Sequence, residues 1–161
     1  MVDKNEILER TEREYTAWQT LVSRLDDRNI TRQPVLENWT VKDLIAHITW
    51  YEEQMVIVLQ SRALSGSDLW GIPTSERNQV IYAEYKDRPF GEVRAHAAQV
   101  HTALVELLES LTADDLVDPA HFPGMPADWQ PWQLLAENIW EHYAEHIPQL
   151  AAWLESANSA G

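Results

Sequence analysis

The chain has 161 residues, no cysteine and a formal net charge of -14. That length supports one hydrophobic core without disulfides, and the missing thiol excludes disulfides, zinc–cysteine sites and a cysteine nucleophile. The acidity opposes phosphate-backbone and anionic-membrane binding, because both rely on lysine and arginine to displace counterions.

No basic-plus-apolar leader opens the sequence, and no apolar run reaches the roughly 20 residues that span a bilayer. The expectation is a single soluble, cytoplasmic domain over residues 1–161. Glycine is scarce, no phosphate-binding glycine pattern occurs, and no strand-like alternation persists, so the chain reads as all-α. Its eight tryptophans suit either core packing or the wall of a pocket.

The first predicted helix runs from Asp3 to about Leu25, with a seam of Leu8, Thr11, Tyr15, Trp18, Val22 and Leu25 in steps of three and four. Polar Asp26-Asp27-Arg28-Asn29 ends it. Thr40-Val41-Lys42-Asp43 has the form of a capping box and starts a second helix that lasts to about Gln60. Leu44, Ile48, Tyr51, Met55 and Val58 form its inward face, with His47 about 60° off centre by the 100° helical step.

Residues 61–76 carry glycine, serine and proline and form a long connection, which suggests a crossover, and they lead to a short helical stretch near Arg77–Tyr85. Pro89 stands at the head of a third helix that reaches Leu111 through Val93, Ala97, Val100, Leu104 and Leu107, a seam without a polar intruder. Residues 112–130 hold three prolines and a glycine without helical period, and read as a loop that lids one end of a bundle.

Pro131 opens a fourth helix whose seam is Leu135, Ile139, His142, His146, Gln149 and Trp153. Two imidazoles therefore face the interior, four residues apart, where each needs a partner. Pro148 lacks the N–H that would bond the carbonyl of Ala144, so a kink or loosened turn is expected just beyond the histidines. Residues 157–161 are expected to fray.

Histidines at i and i+4 on one helix face can reach a single metal ion. His47 is a third candidate ligand if the second and fourth helices run antiparallel. At about 1.5 Å per residue it lies roughly 10 Å inside one helix start, and His146 lies roughly 15 Å before the other helix end. Three imidazoles with open positions suit a catalytic divalent transition metal, whether zinc, nickel, iron or manganese.

Tyr143 stands where a metalloprotease would carry its general-base glutamate, which disfavours that class. Glu141 and Glu145 point about 100° from the histidines, as solvated residues or as partners to an imidazole N–H. Asn138 lies one turn before His142, where a role toward ligand competes with a local structural bond. His96, His101 and His121 are expected at the surface.

The runs NWTVKDLIAHITWYEE and AENIWEHYAEHIPQLAAWL, with RNQVIYAEYKDRPFGEV between them, resemble the DinB-like four-helix bundles, and most closely their ClbS/DfsB branch. The resemblance covers nearly the whole chain and implies an up-down-down-up bundle. It also implies that His47, His142 and His146 correspond to the superfamily's metal-binding triad. Related members include metal-using, thiol-dependent transferases and isomerases, while the ClbS/DfsB branch is associated with hydrolytic opening of a reactive cyclopropane. Ile147-Pro148 departs from that branch.

Together these readings describe a small-molecule enzyme, a hydrolase or thiol-dependent transferase that acts on an electrophile, with a low-molecular-weight thiol as a candidate partner. Glu141, Tyr143 and Glu145 are the candidate proton-transfer residues. Trp50, Asn78, Tyr82, Asn138 and Trp140 are the candidate substrate contacts, with Trp129 and Trp132 in the lid. Two rivals stand beside this reading: a metal-free hydrolase or protective binder, and a non-enzymatic ligand-binding bundle, with homodimerisation through an outer helix face left open.

Overall fold

The computed structural model describes residues 3–159, with side chains for residues 3–156. In chain order the elements are α1 (Lys4–Val22), α2 (Asp27–Arg32), a small antiparallel hairpin of β1 (Pro34–Leu36) and β2 (Trp39–Thr40), α3 (Val41–Ser61), α4 (Thr74–Tyr85), α5 (Phe90–Ser110), α6 (Ala113–Val117), α7 (Pro131–Asn138) and α8 (Trp140–Ser159). Short 3-10 turns at Asp68–Gly71 and Pro119–His121 punctuate the two long connections.

Four long columns, α1, α3, α5 and the α7–α8 pair, make the bundle, and side-chain contacts fix their directions. Lys42 at the head of α3 donates to the carbonyls of Tyr85, Lys86 and Arg88 just before α5, and Glu52 meets His101 further along, so α3 and α5 run parallel. Lys4 reaches the carbonyl of Glu109, which sets α1 antiparallel to α5. Leu44 clusters with Leu150, while Met55 and Val58 cluster with Leu135, so α3 opposes α7–α8. The order is up-down-down-up, with 61–89 as the crossover that lets two consecutive helices point the same way.

The Thr40 hydroxyl accepts from Asp43 N while the Asp43 carboxylate accepts from Thr40 N, a complete capping box that fixes the start of α3. From there α3 runs through the centre of the molecule and is buried on nearly every side, with His47 turned inward at 5 % exposure. Apolar residues fill two clusters. One gathers Ile7, Met55, Leu104, Leu108, Leu135 and Ile139, and the other Trp18, Leu44, Ile48, Ile81, Val93 and Leu150.

Several local expectations need correction. Residues 26–40 form α2 and the hairpin, because Asp26 caps a helix of its own by accepting from Asn29 N. In α1, Ile7 is the fully packed residue and Leu8 sits at the edge. The 112–130 segment is partly helical, since Thr112 and Asp115 make a second capping box that starts α6.

His101 is buried at 6 % exposure, stacked on Tyr15 with ring centroids 3.5 Å apart and 3.1 Å from the Glu52 carboxylate, so α5 does bring a polar group into the core. It lies one residue past the seam, but α5 packs against both α3 and α1, and that wider contact buries its flank. His96 is half-buried, and His121 is exposed with its Nδ1 against Asp115 at 2.8 Å.

The fourth column breaks before the histidines and not after them. Ile139, with φ -119° and ψ -96°, separates α7 from α8, while Pro148 lies inside an unbroken α8. Ala144 and Pro148 are both exposed, so water can satisfy the carbonyl that has lost its donor. Of the tail expected to fray, α8 includes residues 157–159, and the last two residues lie outside those described.

A candidate metal centre on a cavity wall

His47 from α3 and His142 and His146 from α8 meet at one level of the bundle, as the antiparallel columns require. The His142 Nε2 lies 2.9 Å from His47 Nε2 and 3.2 Å from His146 Nε2, and the three ligand atoms fall within 4.8 Å of one another. All three rings are buried. Tyr51 closes one side, its ring centroid 5.0 Å from His47 and 4.7 Å from His142, and Trp39 packs edge-on against His47 at 5.1 Å.

Neutral imidazole has one N–H and one lone pair. The Nδ1 of His146 faces Gln149 Oε1 at 2.8 Å, which places its proton on Nδ1 and leaves Nε2 as a lone pair aimed at the other two rings. Even if His142 turns an N–H inward, it cannot serve both neighbours well. The Nδ1 atoms of His47 and His142 are buried without a hydrogen-bond partner.

Burial, followed by the neighbouring His146 and Arg77, pushes the His47 imidazolium down to about 3 from 6.5, and burial with its two histidine neighbours lowers His142 as well. Both rings are therefore neutral at physiological pH, the form that ligates metal. Two ligands each about 2.0–2.1 Å from one first-row ion, at angles between right and tetrahedral, stand about 2.9–3.4 Å apart. The two separations from His142 fall in that interval, so these donors fit a divalent transition metal with His142 as the shared central ligand. Of the partners to an imidazole N–H anticipated at Glu141 or Glu145, neither supplies the one seen; Gln149 does.

The triad forms part of the wall of a cavity of about 1180 Å³. Asn78, Asn138, Glu145 and Trp129 also line it, together with Trp39, Tyr51, Trp70 and Arg77. The Nδ2 of Asn138 donates to the carbonyl of Leu134, so its structural bond and its place on the cavity wall coexist. Asn78 Oδ1 accepts from the Tyr51 hydroxyl at 2.9 Å. Gly66 belongs to the same wall with φ +156°, and a Cβ there would stand 2.8 Å from Gln54 Oε1, which explains the glycine where the crossover passes close to α3.

Other anticipated residues lie elsewhere. Glu141 is exposed and outside the cavity wall. Tyr143 is buried outside the cavity wall, near Tyr15 and Trp18, and burial followed by the Glu52 charge raises its phenol well above the usual value. Trp50 packs behind Tyr51 and Trp70, and Tyr82 stacks on Trp39 at 5.7 Å. Trp132 and Trp140 border a separate, smaller groove beside Asp3, Ile7 and Arg10. Sequence periodicity gave no cue to Arg77, because the short α4 has no strong apolar stripe to orient it.

The sequence pattern of the DinB superfamily matches residues 10–150. The chain belongs to the DinB superfamily. A search of curated proteins gives no match. Among solved structures, a protein described as sibling lethal factor precursor, DfsB, is similar with a TM-score of 0.80 at 14% identity, covering 98% of both chains. A Streptococcus pneumoniae protein is similar at a TM-score of 0.77 and 14% identity, over 96% of this chain and 92% of that one. An uncharacterised Escherichia coli UTI89 protein gives a TM-score of 0.74 at 18% identity, over 96% and 94%. These likenesses establish the bundle as a DinB fold. Among the described residues no helix is long and apolar enough to cross a membrane.

Proposed function

We propose that this DinB superfamily member is a metal-dependent enzyme that acts on an electrophilic small molecule, by hydrolysis or by transfer to a low-molecular-weight thiol. The observation that carries this reading is the convergence of three buried imidazole nitrogens on the wall of a large cavity. A single metal-free hydrogen-bond pattern leaves some of those atoms unanswered, whereas one cation satisfies all three Nε2 lone pairs.

His47, His142 and His146 would hold a divalent ion, which when bound would supply Lewis-acid polarisation and lower the pKa of a water or thiol nucleophile. Gln149 fixes the His146 tautomer. Asn138 lines the cavity while its amide nitrogen is tied to Leu134. Of the three candidate proton-transfer residues only Glu145 lines the cavity, so its carboxylate is assigned to accept the proton of the nucleophile. Burial of the imidazoles keeps them neutral and available as ligands.

The test uses full-length protein loaded separately with zinc, nickel, iron or manganese and assayed against 1-chloro-2,4-dinitrobenzene and styrene oxide, each with and without a small thiol. Turnover that disappears on chelation and in His142→Ala, and falls at least tenfold in Glu145→Gln, supports the reading. Turnover of the same electrophiles that survives complete chelation would replace it with a metal-free hydrolase.

A further inference from the structure

The cavity contains a cation that the triad does not use. Arg77 of α4 is 8 % exposed and lines the same wall as the three histidines. Its Nε donates to the Tyr51 hydroxyl at 3.0 Å and one terminal nitrogen donates to Thr74 Oγ1 at 3.0 Å. The guanidinium also lies over the Trp70 ring at 4.6 Å and the Tyr51 ring at 5.6 Å. These contacts restrict its orientation. The Tyr51 hydroxyl, which accepts from Arg77, donates its own hydrogen bond to Asn78 Oδ1.

Among the described residues no carboxylate forms an ion pair with Arg77. An arginine cannot shed its charge, and a buried charge without a counterion is costly. Two of its five N–H groups have partners here, so an edge of the fork remains for a ligand. We infer that Arg77 anchors a carboxylate of the substrate, so that the cavity takes a small carboxylate-bearing molecule with its reactive centre turned toward the triad, on the other side of Tyr51.

Charge selects the carboxylate over a phosphate-type dianion. One arginine balances one negative charge, and the other charged residues on this wall, Glu37, Glu137 and Glu145, are acidic. A second negative charge would meet repulsion there. The aromatic residues Trp39, Tyr51, Trp70 and Trp129 favour a flat apolar body attached to that carboxylate. The orientation toward the triad rests on the metalloenzyme reading, whereas anchoring at Arg77 does not need the metal.

The experiment is titration of metal-free full-length protein with benzoate, benzamide and phenylphosphonate, followed by calorimetry and by the side-chain Nε–H resonances in a nitrogen-15 spectrum. Benzoate should bind saturably and shift the Arg77 Nε–H signal, with at least tenfold weaker binding in Arg77→Met and in benzamide compared with benzoate. No saturable benzoate binding, unchanged affinity in Arg77→Met, or equal binding of benzamide overturns the inference. Tighter binding of phenylphosphonate overturns the choice of carboxylate. If Arg77→Met does not fold by circular dichroism, the wild-type Nε–H shift decides alone. Failure of the metalloenzyme reading would appear separately, as wild-type protein that takes up no metal while its benzoate titration is unaltered.

Discussion

Replacing His142 by leucine separates what the triad does for the fold from what it does for a metal. In metal-free protein the Nδ1 of His142 is buried without a partner, and an unanswered buried polar atom costs about 1–3 kcal/mol. Leucine removes that atom and fills a similar volume, so His142→Leu should match or exceed wild type by up to about 1 kcal/mol once the lost ring contacts to His47 and Tyr51 are set against the gain. With metal the order inverts. An ion at 1,000 times its Kd stabilises the wild-type protein by about 4 kcal/mol, and the leucine variant, with the shared central ligand gone, by far less.

For a domain of this size 1 kcal/mol corresponds to about 2–4 °C in Tm, so zinc should raise wild-type Tm by roughly 8–16 °C. The assay is thermal and urea unfolding of both proteins, first freed of metal and then with excess zinc. A leucine variant that loses more than about 3 kcal/mol without metal would show that the imidazole is a structural hydrogen-bonding core group. Equal stabilisation of both proteins by zinc would place the metal elsewhere.

Gln149→Ala should weaken metal affinity about 10–100-fold with little loss of fold stability, because it removes the partner that orients His146; competition with a chromophoric chelator reads this directly. Stability of the metal-free protein should fall as pH drops from 6.5 toward about 3, since the unfolded chain gains a proton that buried His47 refuses. The slope is about 1.4 kcal/mol per pH unit for each such histidine. His47→Leu should therefore flatten the acid limb by about one proton in urea melts, and an unchanged limb would contradict the burial of that ring. Leu104→Ala, at a position 0% exposed in the core, should cost about 2–5 kcal/mol by urea unfolding, and a cost below 1 kcal/mol would contradict the packing.

The features legible in the sequence are those set by short-range chemistry. The Thr40–Asp43 capping box, the seams of α3 and α5 and the pairing of His142 with His146 follow from spacing within one helix. His47 could be matched to them by depth because antiparallel columns were expected. The capping box at Thr112–Asp115 has the same form as that at Thr40, yet surrounding prolines masked it. His101, expected at the surface, is buried because its partners Glu52 and Tyr15 come from other helices, and burial of a flank depends on how many neighbours a helix has. The break at Ile139 leaves the apolar rhythm intact on both sides, so periodicity carries no trace of it. Arg77 is visible only as part of a cavity assembled from distant segments.

Metal content of the untagged protein by inductively coupled plasma mass spectrometry tests the triad most directly, with wild type compared against His47→Ala and His142→Ala. The expected result is about one equivalent of a single transition metal in wild type, lost in both variants. Wild type that takes up no metal after reconstitution with zinc, nickel, iron and manganese, or variants that keep the full equivalent, would contradict a metal centre at these three histidines.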